Sequence, residues 1–103
     1  MRYFRREWDE DRGDRYASWG TSVFYLAIDD EGYAHMQVEA YADGTVTAYD
    51  PEHDEDRYGM LTYARSDLDG FAPYEISEQE FHEVLSRLSP MNLPTDRAWP
   101  PGR

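Results

Sequence analysis

The chain has no cysteine and no lysine, and no window of it approaches the apolar length that crosses a bilayer. Without cysteine there is neither a disulfide framework nor a thiolate zinc site. The opening stretch RYFRREW carries no long apolar run of the signal-peptide kind, so the expected address is the cytoplasm, with no membrane partner. The missing lysine leaves ten arginines against 22 acids, a net charge of -12. Arginine-only usage fits a GC-rich bacterial genome. A surface this acidic repels phosphate backbones, whose binding depends on counterion release at Lys and Arg. Nucleic acid is therefore not expected as a partner, and a basic protein is the natural one.

Catalytic spacings are scarce as well. His35, His53 and His82 are scattered, with no H-E-x-x-H pair, and the glycines form neither a phosphate-binding loop nor a nucleophile elbow. Asp50, Glu52, Asp54 and Asp56 approximate a calcium loop, but position six is Glu55 rather than Gly and position twelve is Leu61 rather than Glu. No catalytic residue, metal or cofactor is expected, and the chain does not read as an enzyme. The tripeptide Arg12-Gly13-Asp14 matches an adhesion motif, which chance explains in a chain so rich in Arg and Asp.

At 103 residues the chain suits one domain, which buries roughly 60 to 70% of its unfolded surface. Hydrophobic residues at 40% and aromatics at 16% supply the burial that offsets chain ordering, so the domain folds despite its charge. RYFRREW reads as an edge-type first strand with Phe4 and Trp8 on one face. Residues 9 to 20, charged and rich in turn formers, read as a connecting loop.

The register of the following strands is set by two glycine turns. A three-residue loop Ala42-Asp43-Gly44 pairs Tyr41 with Thr45 and puts Met36, Val38, Ala40, Val46 and Ala48 on one face; a two-residue loop scatters them. A three-residue loop Asp30-Glu31-Gly32 pairs Ile28 with Ala34, and a regular ladder then adds Phe24, Leu26 and Ile28 to that face. The opposite face carries Tyr25, Tyr33, His35, Gln37, Glu39, Tyr41 and Tyr49. Two readings of these residues stand side by side. Tyrosines and threonines suit a solvated sheet face, and a flat Tyr-rich patch also has the composition of an interface core. Under the second reading, with Asp54, Glu55 and Asp56 of the neighbouring loop, they bind a basic partner or form a homodimer.

Met60 to Ala64 reads as a final short strand. The strongest local signal follows it. Ser77 and Glu80 make a capping box, Ile76 and Phe81 a hydrophobic staple, and Phe81, Val84, Leu85 and Leu88 recur at helical spacing until Pro90. A helix over about 78 to 89 is expected, packed on the apolar sheet face. The fold class is therefore α+β: an antiparallel meander of four to five strands with one C-terminal helix. The domain spans 1 to 89, and 90 to 103 form an irregular Pro-rich tail whose Trp99 either folds back or hangs free.

The stretches RYFRREW, EAYADG, GML and YEISEQEFHEVL, with Trp8, Gly44, Gly59 and the cap from Ile76 to Phe81, resemble those of a family of small bacterial domains of unknown function. The similarity covers about residues 2 to 88 and departs from the family in the loop from Asp9 to Gly20 and in the tail. It brings no functional residue with it. The size and acidity also resemble the immunity proteins that neutralise polymorphic toxins, which implies a basic toxin domain as the partner.

Overall fold

The computed structural model describes residues 1–101; the last two residues of the tail lie outside the described residues. Strands β1 (Arg2–Trp8), β2 (Ser22–Ile28), β3 (Ala34–Tyr41) and β4 (Val46–Tyr49) run antiparallel as a meander. Between the third and fourth, Tyr41 N–H donates to the Thr45 carbonyl at 2.8 Å and Ala40 pairs with Val46, the three-residue register. Gly44 sits at φ 96°, the left-handed conformation that this loop demands. Gly32 has the same φ in the preceding turn, and a Cβ there would lie 2.7 Å from the Ser66 carbonyl oxygen. That turn also closes as expected, with Asp29 N–H donating to the Tyr33 carbonyl at 2.9 Å and Ile28 opposite Ala34.

One residue later the regular ladder fails. Ile28 pairs with Ala34 but Ala27 pairs with Met36, which leaves His35 as the extra residue of a β-bulge. The bulge shifts the phase of β3 against β2 by one. Val23, Tyr25 and Ala27 therefore share a face with Met36, Val38 and Ala40, while Phe24, Leu26 and Ile28 lie on the side of Gln37, Glu39 and Tyr41. The expected placement of Phe24, Leu26, Ile28 and Tyr25 is thereby reversed. Because His35 is the surplus residue, deleting it leaves both faces in register. The variant is expected to lose about 1 kcal/mol or less, the scale of its exposed side-chain hydrogen bond with Asp29, in a urea melt. Loss of the cooperative transition would contradict the bulge.

Both faces of the sheet are cores. On one, Tyr25, Ala27, Val38, Val46 and Ala48 pack against Phe81 and Leu85 of helix α2 (Glu78–Leu85). Ser77 Oγ accepts from the Glu80 amide at 3.0 Å, as the capping box requires. The helix ends three to four residues earlier than expected, and its exposed carbonyls are met from the tail: the Trp99 indole N–H donates to the Leu85 and Leu88 carbonyls at 3.2 and 2.8 Å. The tail is irregular yet docked. Met91 N–H reaches the Val46 carbonyl, and the Asn92 side chain bonds both the amide and the carbonyl of Ala48, which closes the outer edge of β4.

On the second face Phe4, Leu26, Ile28 and Ala34 pack with Phe24, Leu61, Leu68 and Phe71. Leu68 and Phe71 belong to a single-turn helix α1 (Leu68–Phe71), capped by the Asp67 side chain at the Asp69 amide. The expected strand over residues 60 to 64 does not form: Met60 ends a small hairpin of β5 (Glu55–Asp56) and β6 (Gly59–Met60), separate from the main sheet, and residues 61 to 64 are irregular. The fifth strand is β7 (Glu75–Ile76), which pairs with β1 at Tyr3 and Phe4. The first strand is therefore flanked on both sides over this stretch rather than lying at an edge.

Candidate functional site

The bulge moves one of the anticipated binding residues, and loops folded over the sheet enclose four others. Tyr25 lies beneath α2. Gln37, Glu39, Tyr41 and Tyr49 lie on the second face, but that face is not open. The loop between β1 and β2 folds over it, with Trp19 at 5.0 Å from the Tyr41 ring, and the segment from Asp50 to Met60 covers the rest. The expected Tyr-rich surface is thus an interior polar layer. Only Tyr33 and His35, beside the bulge, and Asp54 and Glu55, in the acidic segment, keep exposed side chains. Asp56 is half-buried.

Glu39 is the centre of the layer and is 5% exposed. Its carboxylate accepts from Tyr41 Oη at 2.5 Å and from Gln37 Nε2 at 2.7 Å. Gln37 continues the network, donating to the Met60 carbonyl and accepting from the Thr62 amide. Burial pushes the Glu39 carboxyl above its ordinary range, although the Tyr41 and Gln37 hydrogen bonds and the charge of Arg12 pull the other way. Burial and the adjacent carboxylate likewise push the Tyr41 hydroxyl up. Both Glu39 oxygens are already engaged inside the protein, so the group serves as a structural anchor between strand and loops.

A second knot ties the acidic segment down. Asp56 accepts from Tyr49 Oη at 2.9 Å and from Asn92 Nδ2 at 2.8 Å, and pairs with His53 Nε2 at 2.9 Å. Burial alone would raise this carboxyl, but the donors from Asn92, His53, the Tyr58 amide and Tyr49 outweigh it and hold the carboxyl low. Arg97 pairs with Asp50 in the same region. Among the described residues no group of three or more His, Asp or Glu could hold a metal ion, and no helix is long and apolar enough to cross a membrane.

The sign for Glu39 follows from its raised value. The unfolded chain titrates near 4.5 and the folded chain higher, so between the two the folded state keeps a proton that the unfolded state has lost. The contribution of this group to stability is complete below the unfolded value and is lost as pH rises through the folded one. Glu39→Gln removes that titration. Relative to wild type, the variant is expected to gain stability as pH rises from below 4.5 toward neutrality in denaturant melts. A difference that does not move in the variant's favour would contradict the burial of the charge.

What remains exposed is a different constellation. Tyr63 is 80% exposed, Tyr33 45% and Met60 40%, and they line an open cleft of about 320 Å³ together with Asp54 and Glu55. Large apolar side chains rimmed by carboxylates form the kind of surface that docks a basic protein. Met60 and Tyr63 escaped the sequence reading because residues 60 to 64 read as a strand of the sheet. Comparison with protein-family models, with curated proteins and with solved structures finds no match to this chain.

Proposed function

We propose that the protein is a stoichiometric binder of a basic protein, with an immunity-type inhibitor of a basic bacterial toxin, acting in the cytoplasm, as its most concrete form. The cleft of Tyr33, Met60 and Tyr63 beside Asp54 and Glu55 carries this reading, set in a chain of net charge -12. Aromatic and Met side chains supply short-range adhesion, and the acids steer a cationic partner into place. The resemblance to immunity proteins supports it by charge and size. Catalysis has no part in the proposal; the buried carboxylate of Glu39 has both oxygens engaged by Tyr41 and Gln37. Of the tyrosines expected in a homodimer interface, Tyr33 is exposed, whereas Tyr41 and Tyr49 are buried within the protomer, so a dimer through all three would require the covering loops to open.

The two components separate kinetically. With a partner captured from the native host, Tyr33→Ala combined with Tyr63→Ala is expected to accelerate dissociation about tenfold or more, equivalent to about 1.4 kcal/mol. Asp54→Asn with Glu55→Gln is expected to slow association and flatten its salt dependence. Surface-immobilised rate measurements across a salt series check both. A folded tyrosine variant with an unaltered dissociation rate would place the interface elsewhere.

A further inference from the structure

Arg12 occupies a box of aromatic side chains. Its Cζ lies 5.1 Å from the Tyr16 ring centroid, 5.4 Å from that of Trp19 and 6.0 Å from that of Tyr41, and its Nη2 donates to the Tyr58 carbonyl at 2.5 Å. The rings brace one another, with Trp19 stacked on Tyr16 at 4.5 Å and lying 5.9 Å from Tyr58. Behind them, Tyr41 holds the Glu39 carboxylate. Ring faces backed by a carboxylate attract an organic cation, and a planar, weakly hydrated guanidinium suits them better than an ammonium.

The position of Arg12 adds a second observation. The same side chain borders two open clefts, one of about 310 Å³ that reaches Trp8 and Phe24, and one of about 390 Å³ that reaches Tyr58. The Arg12 side chain is therefore shared by the linings of two clefts whose acids outnumber the other arginines. Among the described residues its carboxylate partner is the exposed Asp14, at 3.0 Å, a pair that contributes little to holding it in place.

We propose that the box is a receptor for an arginine guanidinium presented by a basic partner, and that Arg12 is its internal occupant in the free protein. The partner's charge rests on the function proposed above; the recognised group rests on the box itself. An internal occupant competes with any incoming guanidinium and lowers its apparent affinity by the fraction of time the box is filled. Asp14, released when Arg12 leaves, becomes available to the incoming chain.

Arg12→Ala tests this with a small probe. By calorimetry, the variant is expected to bind methylguanidinium with a dissociation constant at least tenfold lower than wild type, and methylurea with no gain. Adding Tyr16→Leu should abolish the gain. A folded Arg12→Ala variant that binds methylguanidinium no better than wild type, or that gains equally for methylurea, overturns the proposal. Because Arg12 ties two loops together, the wild-type protein provides a second measurement. Methylguanidinium should produce a saturable shift of the Trp19 indole resonance that methylurea does not, and the absence of such a shift also overturns the proposal. Failure to capture any basic partner, alongside the expected gain, would remove the proposed function and leave the receptor standing. Partner capture without the gain would do the reverse.

Discussion

Phe4→Ala is expected to destabilise the domain by about 3 to 5 kcal/mol, a large share of a net stability of roughly 5 to 15 kcal/mol. The side chain is completely buried between Leu26, Ile28 and Ala34, with the Phe71 ring edge-on at 5.7 Å and the Arg2 guanidinium 5.5 Å from its centroid. Its backbone is paired on both sides, with Leu26 of β2 and Glu75 of β7, so the surrounding structure has little freedom to collapse into the space left behind. The cost should therefore include a cavity as well as lost burial. A urea melt measures it. A loss below about 1 kcal/mol would mean that the second face of the sheet is a covered surface rather than a core.

Leu85→Ala is expected to cost about 2 to 5 kcal/mol from the other face. Leu85 is fully buried among Phe81, Val38 and Ala48, and its carbonyl receives the Trp99 indole N–H, so truncation should loosen the tail as well as the helix. Trp99 emission should shift toward that of exposed indole at denaturant concentrations where the sheet is still folded. Phe4 and Leu85 belong to clusters separated by the sheet, and the double variant should lose close to the sum of the two single losses. Strong coupling would indicate one continuous core rather than two.

Local signals carried most of the architecture. The glycine turns at 30 to 32 and 42 to 44, the Ser77 cap and the helical spacing of Phe81 and Leu85 all appear in the structure where the chain chemistry puts them. The division of the sheet into faces did not follow from those signals, because it depends on a single surplus residue. His35 is polar, as either register allows, and nothing in Ala34-His35-Met36 marks a bulge; the pairing of Ala27 with Met36 and the packing of Tyr25 and Ala27 under α2 reveal it. Gln37, Glu39, Tyr41 and Tyr49 stay on the expected face and are buried by the loops that fold over it, and their polarity suits a solvated face as readily as a hydrogen-bonded layer. Loop function was hidden for a different reason. Arg12, Tyr16, Trp19 and Tyr58 acquire their roles by contacts between segments far apart in the chain, 29 residues for Arg12 with Tyr41 and 46 for Arg12 with Tyr58, and Tyr63 through the failure of a strand to form.

The most direct measurement of where recognition lies is a tyrosine-resolved hydroxyl-radical footprint, read by mass spectrometry with and without a captured basic partner. In the free protein Tyr63 and Tyr33 should react readily while Tyr41 and Tyr49 are protected, and the partner should shield Tyr63 and Tyr33. Tyr41 and Tyr49 reacting as fast as Tyr33 in the free protein, or a bound partner that leaves Tyr33 and Tyr63 fully reactive, would contradict a closed sheet with recognition at its exposed rim.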